Sequence, residues 1–173
     1  MLQLKRIHRW AAMTAALTAS PWLVPSAHAV LGGAPESFSN AVSVQTAQRS
    51  IAAAASLASG AGTTTGTSNY SVRETTLNTG TVVREYLASN GQVFGAAWQG
   101  PVQPSFGQLF GSANFSTYAS GVAAVHAARG VRAPVAVDTA NLVVHVGGHM
   151  RAFFGQAWLP QSLPAGVTGD DIR

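Results

Sequence analysis

The clearest pattern in the chain lies between Tyr70 and Gln99, where apolar and polar side chains alternate in three runs separated by turn residues. Alternation with a period of two marks a strand with one buried face. It predicts strands over Tyr70–Leu77, Thr81–Ser89 and Gln92–Gln99, joined by Asn78-Thr79-Gly80 and by Asn90-Gly91. The second junction is a two-residue Asn-Gly turn of the tight hairpin type, which pairs Leu87 with Phe94 and Val83 with Trp98. Charge selects the length of the first. A three-residue loop sets Arg73 opposite Glu85 and Glu74 opposite Arg84, whereas a two-residue loop would oppose Glu74 and Glu85. Opposite charges across a strand pair stabilise and like charges destabilise, so the three-residue loop with a left-handed Gly80 is preferred.

These registers give the meander two faces. Leu77, Val83, Leu87, Phe94 and Trp98 fall on the predicted core side, and Glu74, Thr76, Arg84, Tyr86 and Gln99 on the predicted wet side. Arg73 and Glu85 lie with the core residues, which predicts a partly buried ion pair that fixes register. The Glu74–Arg84 pair is expected to do the same on the outer face.

Beyond Gly100-Pro101 the periodicity changes. Pro104–Phe110 predicts a short helix with Phe106, Leu109 and Phe110 on one side and Gly111 as its stop. Phe115, Tyr118, Val122 and Val125 predict a second helix over Asn114–Arg129, with Asn114 as N-cap, Gly130 as stop and Gly121 as a weak point. Pro134–Asp138, Leu142–Val146 and Met150–Leu159 read as strands, and the tail with Pro160, Pro164 and Gly166 as irregular. Strands, then helix, then strands describe one α+β domain over residues 70–173, an antiparallel meander with hairpins and one or two short helices.

Two segments precede it. Lys5, Arg6 and Arg9 head an uncharged run from Trp10 to Val24, which closes on Ala27-His28-Ala29. Basic head, short apolar stretch and A-x-A end predict a signal peptide over residues 1–29, and Pro21 and Pro25 interrupt the run before it reaches membrane-spanning length. Residues 30–69 are rich in Ala, Ser, Thr and Gly, with too few large side chains to offset the entropy of ordering. They read as a flexible, disordered spacer, in which Gln48–Leu57 forms at most a transient Ala-rich helix. Export as a periplasmic or secreted protein follows, with no transmembrane segment after cleavage.

Cleavage also changes the charge balance. The whole chain holds ten basic and six acidic residues, but residues 30–173 keep seven scattered arginines against six carboxylates and no lysine. A net of +1 without a basic cluster argues against nucleic acid as a partner. The absence of cysteine removes disulfides from the account of stability.

The densest cluster of chemically able side chains is His145-Val146-Gly147-Gly148-His149-Met150-Arg151. Two imidazoles and a thioether suit copper. If Gly147-Gly148 closes a tight hairpin, however, Val146 pairs with His149 and His145 with Met150, which sends the two histidines to opposite faces. His145 and Met150 could then share a site with a distant His126. Arg151 shares the His149 side beside Phe153, a pairing able to hold a carboxylate or a sugar acid. No G-x-S-x-G elbow, paired carboxylates or phosphate-binding loop accompanies these residues, so no catalytic residue, metal ligand set or cofactor is assigned.

Several strings recur in a recognisable order: Val72-Arg73-Glu74-Thr75-Thr76-Leu77, Gly80-Thr81-Val82-Val83-Arg84-Glu85-Tyr86, Trp98-Gln99-Gly100-Pro101, Leu142-Val143-Val144, Gly147-Gly148-His149-Met150-Arg151-Ala152-Phe153, Leu159-Pro160 and Leu163-Pro164-Ala165-Gly166-Val167. With Leu31-Gly32-Gly33, this resembles the exported bacterial family catalogued as domain of unknown function 2844. The resemblance implies an exported protein and carries over no catalytic residues. The reading is a non-enzymatic envelope binding or accessory module with an envelope protein or cell-surface ligand as partner, and Tyr86, Trp98 and Trp158 as exposed aromatic candidates. The alternative is a metal-handling protein or enzyme centred on His145, His149 and Arg151.

Overall fold

A computed structural model describes residues 31–52 and 67–173. Its strands are β1 (Ala41–Ala52), β2 (Thr67–Leu77), β3 (Val82–Ala88), β4 (Val93–Gly100), β5 (Val135–Asp138), β6 (Val143–His149) and β7 (Ala152–Trp158), with helix α1 (Phe106–Arg129) between β4 and β5. All seven strands form one sheet in the order β1-β2-β3-β4-β7-β6-β5, and every pairing is antiparallel. The first four form a meander. The chain then crosses the sheet as α1 and returns from the far edge, bringing β7 beside β4. The α+β class holds.

Charge decided the first turn as expected. Arg73 faces Glu85 and Glu74 faces Arg84 across β2 and β3, with Gly80 left-handed at φ +81°. Val83 faces Trp98. The second turn differs from its two-residue prediction. The Ala88 amide donates to the Gln92 carbonyl, so Ser89-Asn90-Gly91 is a three-residue loop like the first. A bulge then shifts the register between Tyr86 and Leu87, placing Leu87 opposite Val93. The extra residue turns Phe94 away from the helix-covered face, which corrects its assignment to that side.

One face carries the larger core. Leu77, Val83, Leu87, Val93 and Trp98 meet Leu109, Phe110 and Tyr118 of α1, and Val137, Val144 and Ala157 extend the layer. The two predicted helices are continuous except for a break at Gly111 (φ +72°). One helical turn apart before the break, Phe106 and Phe110 stack at 5.2 Å, both against Trp98. Asn114 does not cap the helix; its amide donates to the carbonyls of Leu31 and Phe110.

Part of the predicted spacer belongs to the fold. Leu31 and Phe38 are buried in the helix-side core, and backbone bonds tie Leu31 to Leu109 and residues Gly32 and Gly33 to Val93. Residues 41–52 pair with β2 along their whole length, so Gln48–Ala52 is strand rather than helix. The order comes from two apolar anchors and a backbone ladder, neither of which needs a hydrophobic segment. Residues 53–66 and residues 1–30, where a signal peptide is expected, lie outside the described residues.

The second face, predicted wet, is half covered by the C terminus. Tyr70, Val72, Tyr86, Phe94 and Ala97 form a second core with Val167 and Ile172. The tail runs through short 3-10 turns at Pro160–Ser162 and Gly169–Asp171, and Ile172 is fully buried. Gly95 makes room for it, because a Cβ there would lie 2.5 Å from Ile172 Cδ1. Tyr86 Oη donates to the Arg173 carbonyl (2.6 Å) and accepts from its amide (2.9 Å). Burying Val167 and Ile172 contributes about 1.5–3 kcal/mol each, enough to hold a segment without regular structure in place. Among the described residues no helix is long and apolar enough to cross a membrane.

Candidate functional site

The strand registers place one row of side chains across the tail-bearing face. It runs Gln45, Glu74, Arg84, Ala97, Gln156, His145 and Ala136, one residue from each strand. At the usual interstrand spacing the row spans roughly 29 Å. The C-terminal tail covers the sheet on one side of it. The uncovered side is a groove in two lobes that meet at Arg84 and Arg173. The smaller lobe, about 530 Å³, includes Gln45, Arg49, Tyr70, Glu74 and Asp171. The larger, about 630 Å³, includes Ala97, Gln99, His145, Phe154 and Gln156.

Several side chains in the groove are held in place. Arg84 Nε donates to Glu74 Oε2 at 2.8 Å in a half-exposed pair, which orients the guanidinium but adds little stability. His145 Nε2 lies 2.8 Å from Asp138 Oδ1, and its ring meets Trp158 edge-on at 5.4 Å. The carboxylate acceptor fixes Nε2 as the protonated ring nitrogen. Phe154 lies across Gly147, where a Cβ would meet Phe154 Cζ at 2.8 Å, and it remains 58% exposed.

The hairpin differs from its expected form. Gly147 and Gly148 are in the strand, opposite Phe154 and Phe153, and the turn is Met150-Arg151, with Arg151 left-handed at φ +67°. His145 therefore pairs with Gln156 and His149 with Ala152. Both histidines sit on one strand four residues apart, on the same face but separated by about 13 Å. His145 belongs to the large groove. His149 and Arg151 line a separate shallow cavity of about 300 Å³ with Pro101 and Phe153, and Met150 projects 83% exposed at the tip. His149 Nδ1 approaches the Met150 carbonyl at 3.3 Å. Among the described residues no group of three or more metal-ligating side chains is gathered.

Of the aromatic candidates, Tyr86 and Trp98 are buried and Trp158 is half-buried; Phe154 is the exposed ring on this face. Asp138, Phe154, Gln156 and Arg173 were not singled out in the sequence. The alternation of β7 carried a signal for Phe154 and Gln156, but their face depended on the hairpin register. The lining of the larger lobe includes no hydroxyl, thiol or carboxylate side chain among the described residues. It can bind and orient, and the imidazole of His145 is the side chain there able to act as acid, base or nucleophile.

The opposite face holds the most buried charges. Glu85 is 2% exposed and Glu36 5%. Glu85 Oε1 accepts from the Glu36 amide at 2.7 Å, and Arg73 Nη1 lies 3.6 Å from Glu85 Oε2. Burial pushes the Glu85 carboxyl up to about 7, against the lowering effects of that amide and of Arg73. The Arg73–Glu85 pair lies under the lead segment, which reaches it through the Glu36 amide.

Fold and groove together define a sheet protein with one face closed by a helix and the other half closed by its own C terminus, leaving an open groove. Within that class the chain belongs to the family described as protein of unknown function DUF2844, whose model matches residues 27–172. No curated protein and no solved structure matches it.

Proposed function

We propose that the chain is exported through its first 29 residues and works in the periplasm or at the cell surface as a non-enzymatic binding or accessory module. Its ligand or partner occupies the groove on the tail-bearing face. The observation that carries this reading is the groove itself, which joins oriented polar groups and one exposed ring. The basic head and A-x-A end of the lead support export.

Crosslinking of the mature protein in the envelope fraction tests the proposal. Wild type should capture a specific component, and a Phe154→Ala/Arg84→Gln variant of unchanged thermal midpoint should lose it. Equal capture by both proteins would remove the groove from the account. A second reading, metal handling or catalysis centred on His145, His149 and Arg151, draws support from the Asp138–His145 contact. It requires His149→Ala to abolish function at an unchanged midpoint.

A further inference from the structure

We infer that the groove takes an acidic oligosaccharide, a chain of sugar units bearing carboxylates; the inference rests on the binding-module reading above. Arg49, Arg84 and Arg173 line the smaller lobe, and Arg84 and Arg173 stand where the two lobes meet. Of the side-chain carboxylates near them, Glu74 pairs with Arg84, and Asp171 accepts from the neutral amide and hydroxyl of Thr168. Arg49 and Arg173 make no ion pair among the described residues. Guanidinium is the side chain best shaped to receive a carboxylate.

The rest of the lining fits sugar rather than a bare anion. Gln45, Gln99, Gln156 and the Asp138-held His145 supply amide and imidazole groups that suit hydroxyls on both donor and acceptor sides. Phe154 offers an exposed ring beside Gly147, a surface for the apolar C–H face of a pyranose. The row of roughly 29 Å accommodates several sugar units in line. An extended peptide fits less well. The groove crosses the strands over their side chains, so it presents no open ladder of amides and carbonyls, which strand addition requires at a sheet edge.

The test uses the mature protein with hexamers of galacturonate and of mannuronate, neutral maltohexaose and an acidic hexapeptide, read by calorimetry and by tryptophan fluorescence. At least one uronate hexamer should bind about tenfold or more tightly than the neutral sugar and the peptide, and should weaken as salt is raised. Phe154→Ala should weaken uronate binding about tenfold, and Arg84→Gln or Arg173→Gln should reduce the preference for uronate over neutral sugar. The thermal midpoints of all three variants should stay near wild type. Failure of both uronates to bind, or equal binding of neutral sugar or peptide, overturns the inference. If the uronates fail while the envelope capture still depends on Phe154 and Arg84, the binding-module reading stands and only the ligand class falls.

Discussion

Replacing Glu85 by glutamine removes the carboxyl that the sheet buries most completely while keeping its shape and its acceptor oxygen. In the folded protein Oε1 accepts from the Glu36 amide at 2.7 Å, and Oε2 has only Arg73 at 3.6 Å, beyond hydrogen-bonding reach. Desolvation outweighs both favourable partners, and the buried Glu36 carboxyl adds to the upward push, so the group titrates near 7 rather than at its ordinary 4.5. Between these values the folded chain binds more protons than the unfolded one. The stability linked to Glu85 is therefore fully present below about pH 4.5 and is lost as pH rises through about 7. Converted at 1.36 kcal/mol per pKa unit, the loss is about 3 kcal/mol. Glutamine cannot ionise, so the wild type should fall relative to Glu85→Gln by about that amount between roughly pH 5 and pH 8. Urea denaturation of both proteins across that range reads the difference directly, and the other titrating groups cancel in it. A wild-type-minus-variant difference that is flat with pH, or that favours wild type more as pH rises, would refute the reasoning.

Tyr86→Phe removes a hydroxyl that both donates to and accepts from Arg173, and should cost about 1–2 kcal/mol in urea denaturation while speeding amide exchange at Ile172. Gly95→Val places side-chain atoms where Ile172 Cδ1 sits; it should displace the tail, cost about 1–3 kcal/mol and raise protease cleavage after residue 160. Phe110→Ala empties the centre of the helix-side aromatic cluster and should cost about 3–5 kcal/mol by the same denaturation assay. Asp138→Asn should leave stability within about 0.5 kcal/mol, because the pair with His145 is solvent-accessible, but should alter the His145 ring signals in NMR.

The meander was legible because its information is local. Arg73, Glu74, Arg84 and Glu85 encode their own register, and that register holds. The order that escaped sequence reading is non-local or lies in backbone geometry. Phe94 changed faces because of a bulge, and alternation alone does not reveal which residue of a strand is the extra one. Residues 31–52 looked like spacer because their order comes from pairing with β2 and from two anchors, Leu31 and Phe38, buried in a core built by later residues. Tyr86 read as solvent-facing because its cover, Ile172 and Arg173, arrives 87 residues downstream without a periodic pattern of its own. At the site, His145, His149, Met150 and Arg151 were visible as a cluster. Moving the turn from Gly147-Gly148 to Met150-Arg151 put His145 in a different cavity from His149 and Arg151 and brought Phe154 and Gln156 beside it.

The central claim is that the tail-bearing face, rather than the helix side or the hairpin tip, meets the partner. A photo-reactive residue placed at Gln156, in the groove, can be compared with one at Ser116, exposed on α1, and one at Met150 on the tip. Irradiated in intact envelopes, the Gln156 protein should form a discrete adduct, and the Ser116 and Met150 proteins should not. An adduct from Ser116 or Met150 with none from Gln156 would contradict the account.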